Sequence, residues 1–324
     1  MSQILLFSTR MQAALLAPLF TPCAPVSTLS IATFSQQIRH EFIVGSAIAP
    51  ALYEASVRIV RDLEVGPGGE VSTPIHDALG WHYARFGYRS QPNFYCALFE
   101  NEAGSTWQAK LSTPRTDANG KIQKYESPKG EGSQAFLPPI PQTIRQCIAQ
   151  RYGVTIPEEG SFWRWYSTPA SVSIPLIVTE GGKKALALLS QGYVAIALYG
   201  VNGGYRTIGG GRSLIADLQP FVGPGRAITL AFDQDETAKT RRHVAIALLR
   251  LGSILTAAGA QVRVAQWSNR WGKGVDDLIV QVGPEAWNCA YRDALILEHW
   301  QLWQRLDQRL TAPVNLHLSS ADLS

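Results

Sequence analysis

The chain has 324 residues, room for two ordinary domains, with 46% hydrophobic and 17% charged residues and a net charge of +4. That balance excludes an intrinsically disordered chain, which lacks the apolar surface needed to offset the entropy of ordering, and so small a charge commits the protein to no anionic partner by itself. Four cysteines, Cys23, Cys96, Cys147 and Cys289, form no Cys-x-x-Cys pair and no zinc-ligand spacing with histidine, so reduced thiols of a cytoplasmic protein are expected rather than disulfides or a metal ribbon.

In chain order, Arg10 and the apolar run Met11 to Phe20 imitate a signal peptide. Pro18, Pro22 and Pro25 interrupt that stretch, and it falls short of the roughly 20 residues of a membrane span. Residues 1–39 are therefore expected to form a loosely ordered leader with no membrane contact, Met11 being an alternative start. Residues 40–170 suit a small α+β unit. The text HEFIVGSAIAPALYEASVRIVRD suggests two short helices interrupted at Gly45 and Pro50, short apolar and aromatic runs then predict a small antiparallel sheet, and a helix is expected near Gln142 to Tyr152. From Pro175 the character changes. Strands at Leu176 to Thr179, Val194 to Tyr199, Ala227 to Phe232 and Gln261 to Trp267 alternate with helices at Lys183 to Gln191 and Ala238 to Ala258. The expectation over 171–283 is an α/β unit, a mostly parallel sheet covered by helices. A helical region over 284–310 and a polar tail over 311–324 complete the chain.

Ligands of open α/β sheets sit beyond the carboxyl ends of the strands, and three acidic groups fall there. Glu180 ends a strand in LIVTEGGKKA, where Gly181 and Gly182 permit a tight turn. Asp233 and Asp235 end another in ITLAFDQDE, spaced to share one face, and Asp276 and Asp277 follow the next strand in KGVDDLI. Magnesium takes oxygen ligands and keeps room for waters and a phosphate, so convergent carboxylates with an open side suit Mg2+ or Mn2+. A lone aspartate at a strand end is a common helix cap; the ordered set points to a metal site.

This order resembles the Toprim domain of bacterial primases, topoisomerases and recombination proteins. The resemblance implies a Toprim, Rossmann-like fold in which Glu180 acts near the chemistry and Asp233 and Asp235 hold magnesium, with Asp276 and Asp277 matching a later acidic turn. Across most of the chain VGSAIAP, KYESPKG, IVTEGGKKALALLSQGYVAIALYGVNGGYR, FDQDETAKTRRHV and KGVDDLIV are similar to a Toprim-like domain of unknown function found in plasmid replication proteins. A helicase-like region often follows in that family, so a separate replicative helicase is the implied partner. Upstream, ALFENEAGSTWQAKL and GKIQKYESPKG resemble the stretch of bacterial primase cores that forms the other half of the catalytic groove, without the zinc module such primases place first.

Basic residues surround these acids in sequence. Lys183 and Lys184 open the helix after Glu180, and Arg206, Arg212 and Arg241 lie in neighbouring segments; they would neutralise phosphates of nucleotides or single-stranded DNA, or else form solvated faces. Lys183 is also a candidate for the chemistry. The glycine-rich YGVNGGYRTIGGGR does not match G-x-x-x-x-G-K-[ST], so no ATP motor is expected here. Trp163, Trp165 and Tyr166 are expected in the core rather than stacked on bases, and His76, His82 and His243 receive no role. The sequence thus supports metal-dependent, primase-like nucleotidyl transfer in DNA replication. Two other functions stay open: a Toprim nuclease using the same acids, and a non-catalytic module that binds DNA or recruits a helicase.

Overall fold

The computed structural model describes residues 30–81, 94–116, 120 and 122–311, with side chains up to residue 306. Helix α1 (Ile31–Ile43) begins where Ser30 Oγ accepts the N–H of Thr33 at 3.1 Å, and its residues Phe34, Ile38 and Phe42, four apart, make one buried stripe. The helix therefore starts inside the stretch expected to be a loose leader, because an i, i+4, i+8 apolar pattern lies under the serine- and threonine-rich composition. The other residues of that leader, with Cys23, His82 and the end of the polar tail, lie outside the described residues.

Helix α2 (Pro50–Ser56) leads into strand β1 (Val57–Arg61), with β2 (Glu64–Val65) and β3 (Val71–Ser72) forming a small hairpin before α3 (Pro74–Leu79). Strands β4 (Tyr95–Glu100) and β5 (Thr106–Leu111) pair with β1 in an antiparallel sheet of order β1-β4-β5. Strand β4 is buried on both sides. Tyr95, Ala97 and Phe99 join the main core, while Cys96 and Leu98 alternate into a second cluster with Val60, Ile75, Leu79 and Trp81. Short strands β6 (Arg115–Thr116), β7 (Ile122–Gln123) and β8 (Ala135–Phe136) follow, then α4 (Gln142–Tyr152) and α5 (Phe162–Tyr166). Phe162, Trp163 and Tyr166 are buried, in line with a packing role.

The main sheet is built from β9 (Leu176–Glu180), β10 (Val194–Leu198), β13 (Ala227–Ala231), β14 (Gln261–Val264) and β15 (Leu295–Ile296), together with β8; β11 (Tyr205–Ile208) and β12 (Gly211–Leu214) form a separate hairpin. Its order is β15-β14-β13-β9-β10-β8, with the four central strands parallel and both edges antiparallel. Helix α6 (Gly182–Ser190) connects β9 to β10 and α7 (Ala238–Ala257) connects β13 to β14, followed by α8 (Val275–Gln281), α9 (Pro284–Arg292) and α10 (Leu297–Thr311). The helical region expected over 284–310 is thus interrupted by β15, which closes the β14 edge. The β9-to-β10 and β13-to-β14 crossovers run in opposite directions along the sheet, so right-handed connections place α6 and α7 on opposite faces. Strands β9 and β13, side by side, mark the switch point where the carboxyl edge opens.

The expected division at residue 170 cuts through packed structure. Buried Arg226 donates to the carbonyls of Ile174 at 2.7 Å and Tyr166 at 3.0 Å, tying the segment before β9 to the entrance of β13, and β8 completes the main sheet from upstream. The antiparallel sheet docks on α6 through Phe99 and Trp107. A Cβ at Gly182 would stand 3.0 Å from ring atoms of both, while Trp107 also stacks on Phe136 and Tyr199. Gly182→Ala should therefore destabilise the protein by about 1–3 kcal/mol through overpacking. Urea denaturation would register this as a lower midpoint with an unchanged slope; an unaltered midpoint would mean that the rings yield freely.

Candidate functional site

Strands β9 and β13 run parallel in register, with Val178 beside Leu230 and Thr179 beside Ala231, so Glu180 and the residues after Ala231 emerge at the same edge. Gly181, at φ +82°, turns the chain sharply there into α6. Glu180 Oε1 accepts the backbone N–H of Asp233 at 3.2 Å, bringing the two strand ends together. Lys184, one turn along α6 from the glycines, directs its Nζ to within 2.6 Å of Asp233 Oδ1. Lys273 reaches Asp235 Oδ1 at 2.7 Å and Asp233 Oδ2 at 3.7 Å. Glu180, Asp233 and Asp235 thus converge, and two ammonium groups lie among them.

The electrostatics follow from burial. Desolvation, reinforced by the negative charge of Asp233, pushes the Glu180 carboxyl above the usual carboxylate range against the pull of Lys184. Burial opposes the charge of Lys184, yet Asp233, Glu180 and Asp276 together raise its pKa and keep it an ammonium. Asp233 Oδ1 is buried, and the Lys184 contact lies outside hydrogen-bond angles, so this oxygen has a charge partner but no directional donor.

The other candidates divide. Asp276 is buried at the start of α8, accepts the Ser46 hydroxyl at 2.9 Å, and is pushed upward chiefly by burial. Asp277 instead accepts the Gly274 N–H at 3.0 Å, as a cap for α8. Lys183 pairs with Glu41 at 3.1 Å, and Lys110 of β5 meets the same carboxylate. Arg206 donates to the Ser133 carbonyl and Arg212 lies near the Tyr205 ring, both on the exposed β11–β12 hairpin and without an ion pair to these acids among the described contacts. Arg241 lines a crevice beside Asp235 and donates to the Glu236 carbonyl. His76 is buried against Asp62, away from this group. Glu41, Ser46, Lys110 and Lys273 were missed from sequence. Lys273 stands in the same KGVDDLI motif, where the acids drew attention and the lysine did not.

Among the described residues no three His, Cys, Asp or Glu side chains are arranged as a ready metal cage. The donor set nevertheless fits a hard divalent cation: three carboxylates share one edge, one buried oxygen lacks a directional donor, and the neutralising charge comes partly from Lys273, whose side chain is 57% exposed and free to swing out. Asp233, Asp235 and Glu180 are the residues that would hold it.

A test of this electrostatic account uses Glu180→Gln in metal-free buffer. A carboxyl with a raised folded pKa contributes stability that is fully present below its unfolded value and lost as pH rises through the folded one. Glutamine keeps the acceptor and stays neutral. The variant should therefore match the wild type near pH about 4 and become increasingly more stable toward pH about 7. A pH-independent difference in thermal midpoint would contradict the shift.

Comparison with known proteins gives three findings. Residues 162–286 match the family described as a domain of unknown function, DUF3854. An uncharacterized protein of Picosynechococcus sp. is 35% identical over 298 residues, 85% of this chain; the chain spans 29% of that protein's length. Among solved structures, the DnaG primase catalytic domain bound to ssDNA is similar with a TM-score of 0.50 at 16% identity, covering 87% of this chain and 81% of that one. The E. coli primase catalytic core gives a TM-score of 0.44 at 15% identity over 87% and 80%. Among the described residues no helix is long and apolar enough to cross a membrane. The chain has a mixed α/β fold similar to that of a primase catalytic domain, and its 162–286 segment matches the DUF3854 family.

Proposed function

We propose that the chain is a Toprim-type, primase-like nucleotidyltransferase of DNA replication, working with Mg2+ or Mn2+ on a single-stranded DNA template. The observation that carries the reading is the convergence of Glu180, Asp233 and Asp235 at the switch point of the sheet, next to Lys183 and Lys110 on facing elements. The fold similarity and the motif resemblance agree with it. A plasmid or mobile-element setting and a helicase partner belong to the same proposal.

In this reading Asp233 and Asp235 hold the ion, and Lys184 fixes the orientation of Asp233 from α6. A bound divalent ion supplies positive charge to phosphoryl oxygens. The hydroxyl of the growing strand attacks the α-phosphorus of a nucleoside triphosphate, the new P–O bond forms, and pyrophosphate leaves. Glu180, with a carboxyl pushed upward by burial, is suited to take the hydroxyl proton at Oε2, since Oε1 is engaged by the Asp233 N–H. Lys183 and Lys110, clasping Glu41, form the basic side toward phosphates. A second reading, a module that binds DNA without turnover, is favoured by the lysines that hold Asp233 and Asp235.

The test is template-dependent incorporation of labelled nucleotides on single-stranded DNA with Mg2+ or Mn2+, beside a cleavage assay on the same template. Incorporation should occur and fall by about a hundredfold or more in Asp235→Asn, a change that removes only a surface partner of Lys273 and leaves the unfolding midpoint near the wild type. Cleavage without incorporation would establish a nuclease. Bound DNA with neither reaction would establish the non-catalytic module.

A further inference from the structure

Beside the carboxylates, between α7, the end of β14 and α10, lies a cavity of about 450 Å³, within the size range of ligand pockets. Its walls are apolar and aromatic, with Leu248, Val264, Trp267 and Trp300 among them, and Gln266 and Gln304 contribute amides. Asp233 and Asp235 stand at one side of it. Trp300 is 1% exposed, and its Nε1–H is buried without an acceptor. An indole N–H left unpaired costs stability comparable to a lost hydrogen bond, and buried tryptophans usually find a partner. Asp233 Oδ1 adds a second buried polar atom without a directional partner in the same lining.

We propose that this cavity is a slot for a nucleobase. A base is flat and apolar on its faces, which suits walls of leucine, valine and indole. It carries acceptors on its edge, which the Trp300 N–H requires, and glutamine amides are ordinary partners of base edges. A base seated there sets its sugar and phosphate toward the Asp233 and Asp235 side, where Lys273 and Arg241 supply positive charge. A sugar or phosphate alone uses neither the aromatic walls nor the buried donor. The inference deepens the reading of the adjoining carboxylates as a nucleotidyl-transfer site and rests on it. The base comes either from a free nucleotide or from a single strand.

The experiment is titration of the full chain, labelled with 15N at its indoles, with guanosine monophosphate, ribose 5-phosphate and an oligothymidylate. The Trp300 N–H resonance, identified by its loss in Trp300→Phe, should move with the monophosphate, the oligonucleotide or both, and not with ribose 5-phosphate. Which of the two moves it tells a free nucleotide from a strand base. Ala245→Phe, which fills the cavity from α7, should weaken that binding at least tenfold. If it does not fold by circular dichroism, Trp300→Phe should still weaken it threefold or more by calorimetry. Equal affinity for guanosine monophosphate and ribose 5-phosphate, or a Trp300 resonance unmoved by every probe, overturns the slot. Turnover is not needed for this readout. Binding without nucleotide incorporation leaves the slot standing and removes the enzymatic reading; incorporation with an unchanged KM in a folded Ala245→Phe, and no movement at Trp300, removes the slot alone.

Discussion

Three carboxylates gathered at one half-buried sheet edge repel each other and lose hydration, and the arrangement persists because positive charge is built in beside them. Lys184 is the permanent part of that charge. It projects from the first turn of α6, is largely buried, and lies 2.6 Å from Asp233. Lys273 is the removable part, exposed and spanning Asp233 and Asp235. An ion pair in a low-dielectric setting offsets the desolvation of its members only when geometry is good; the upward shift at Glu180 shows that the compensation is incomplete. A divalent cation has an electrostatic reason to enter such a site.

The same helix that brings Lys184 fixes the rest of the groove. Gly182 lets Phe99 and Trp107 press against the start of α6, and this sets the distance between the antiparallel sheet and the carboxylate edge. Lys183 then meets Glu41 of α1, while Ser46 reaches Asp276 on α8. These contacts join residues far apart in sequence, so the N-terminal helices and β5 are structural walls of the site and not an appendage.

Much of this was legible in the sequence because the strands around Glu180 and Asp233 are continuous apolar runs ending in glycine or acid, a pattern that only a buried parallel sheet explains. The helix at Gln142–Tyr152 and the long α7 were legible for the same reason, namely clear periodicity. The start of α1 was hidden because its buried stripe of Phe34, Ile38 and Phe42 is diluted by serine, threonine and glutamine. Strand β15 was hidden because two residues carry no period. Within the site, Asp277 reads as a ligand and acts as a cap, since both uses ask for an acid before a helix. The roles of Glu41, Ser46 and Lys273 depend on tertiary contacts that no local pattern encodes.

The central claim is that Lys273 holds the place of a divalent cation between Asp233 and Asp235. Electron paramagnetic resonance of free Mn2+ titrated with the protein measures it directly. Removing the competing ammonium in Lys273→Ala should tighten Mn2+ binding severalfold, and Asp235→Asn should weaken it by about tenfold or more. Mn2+ affinity unchanged in both variants would contradict the account.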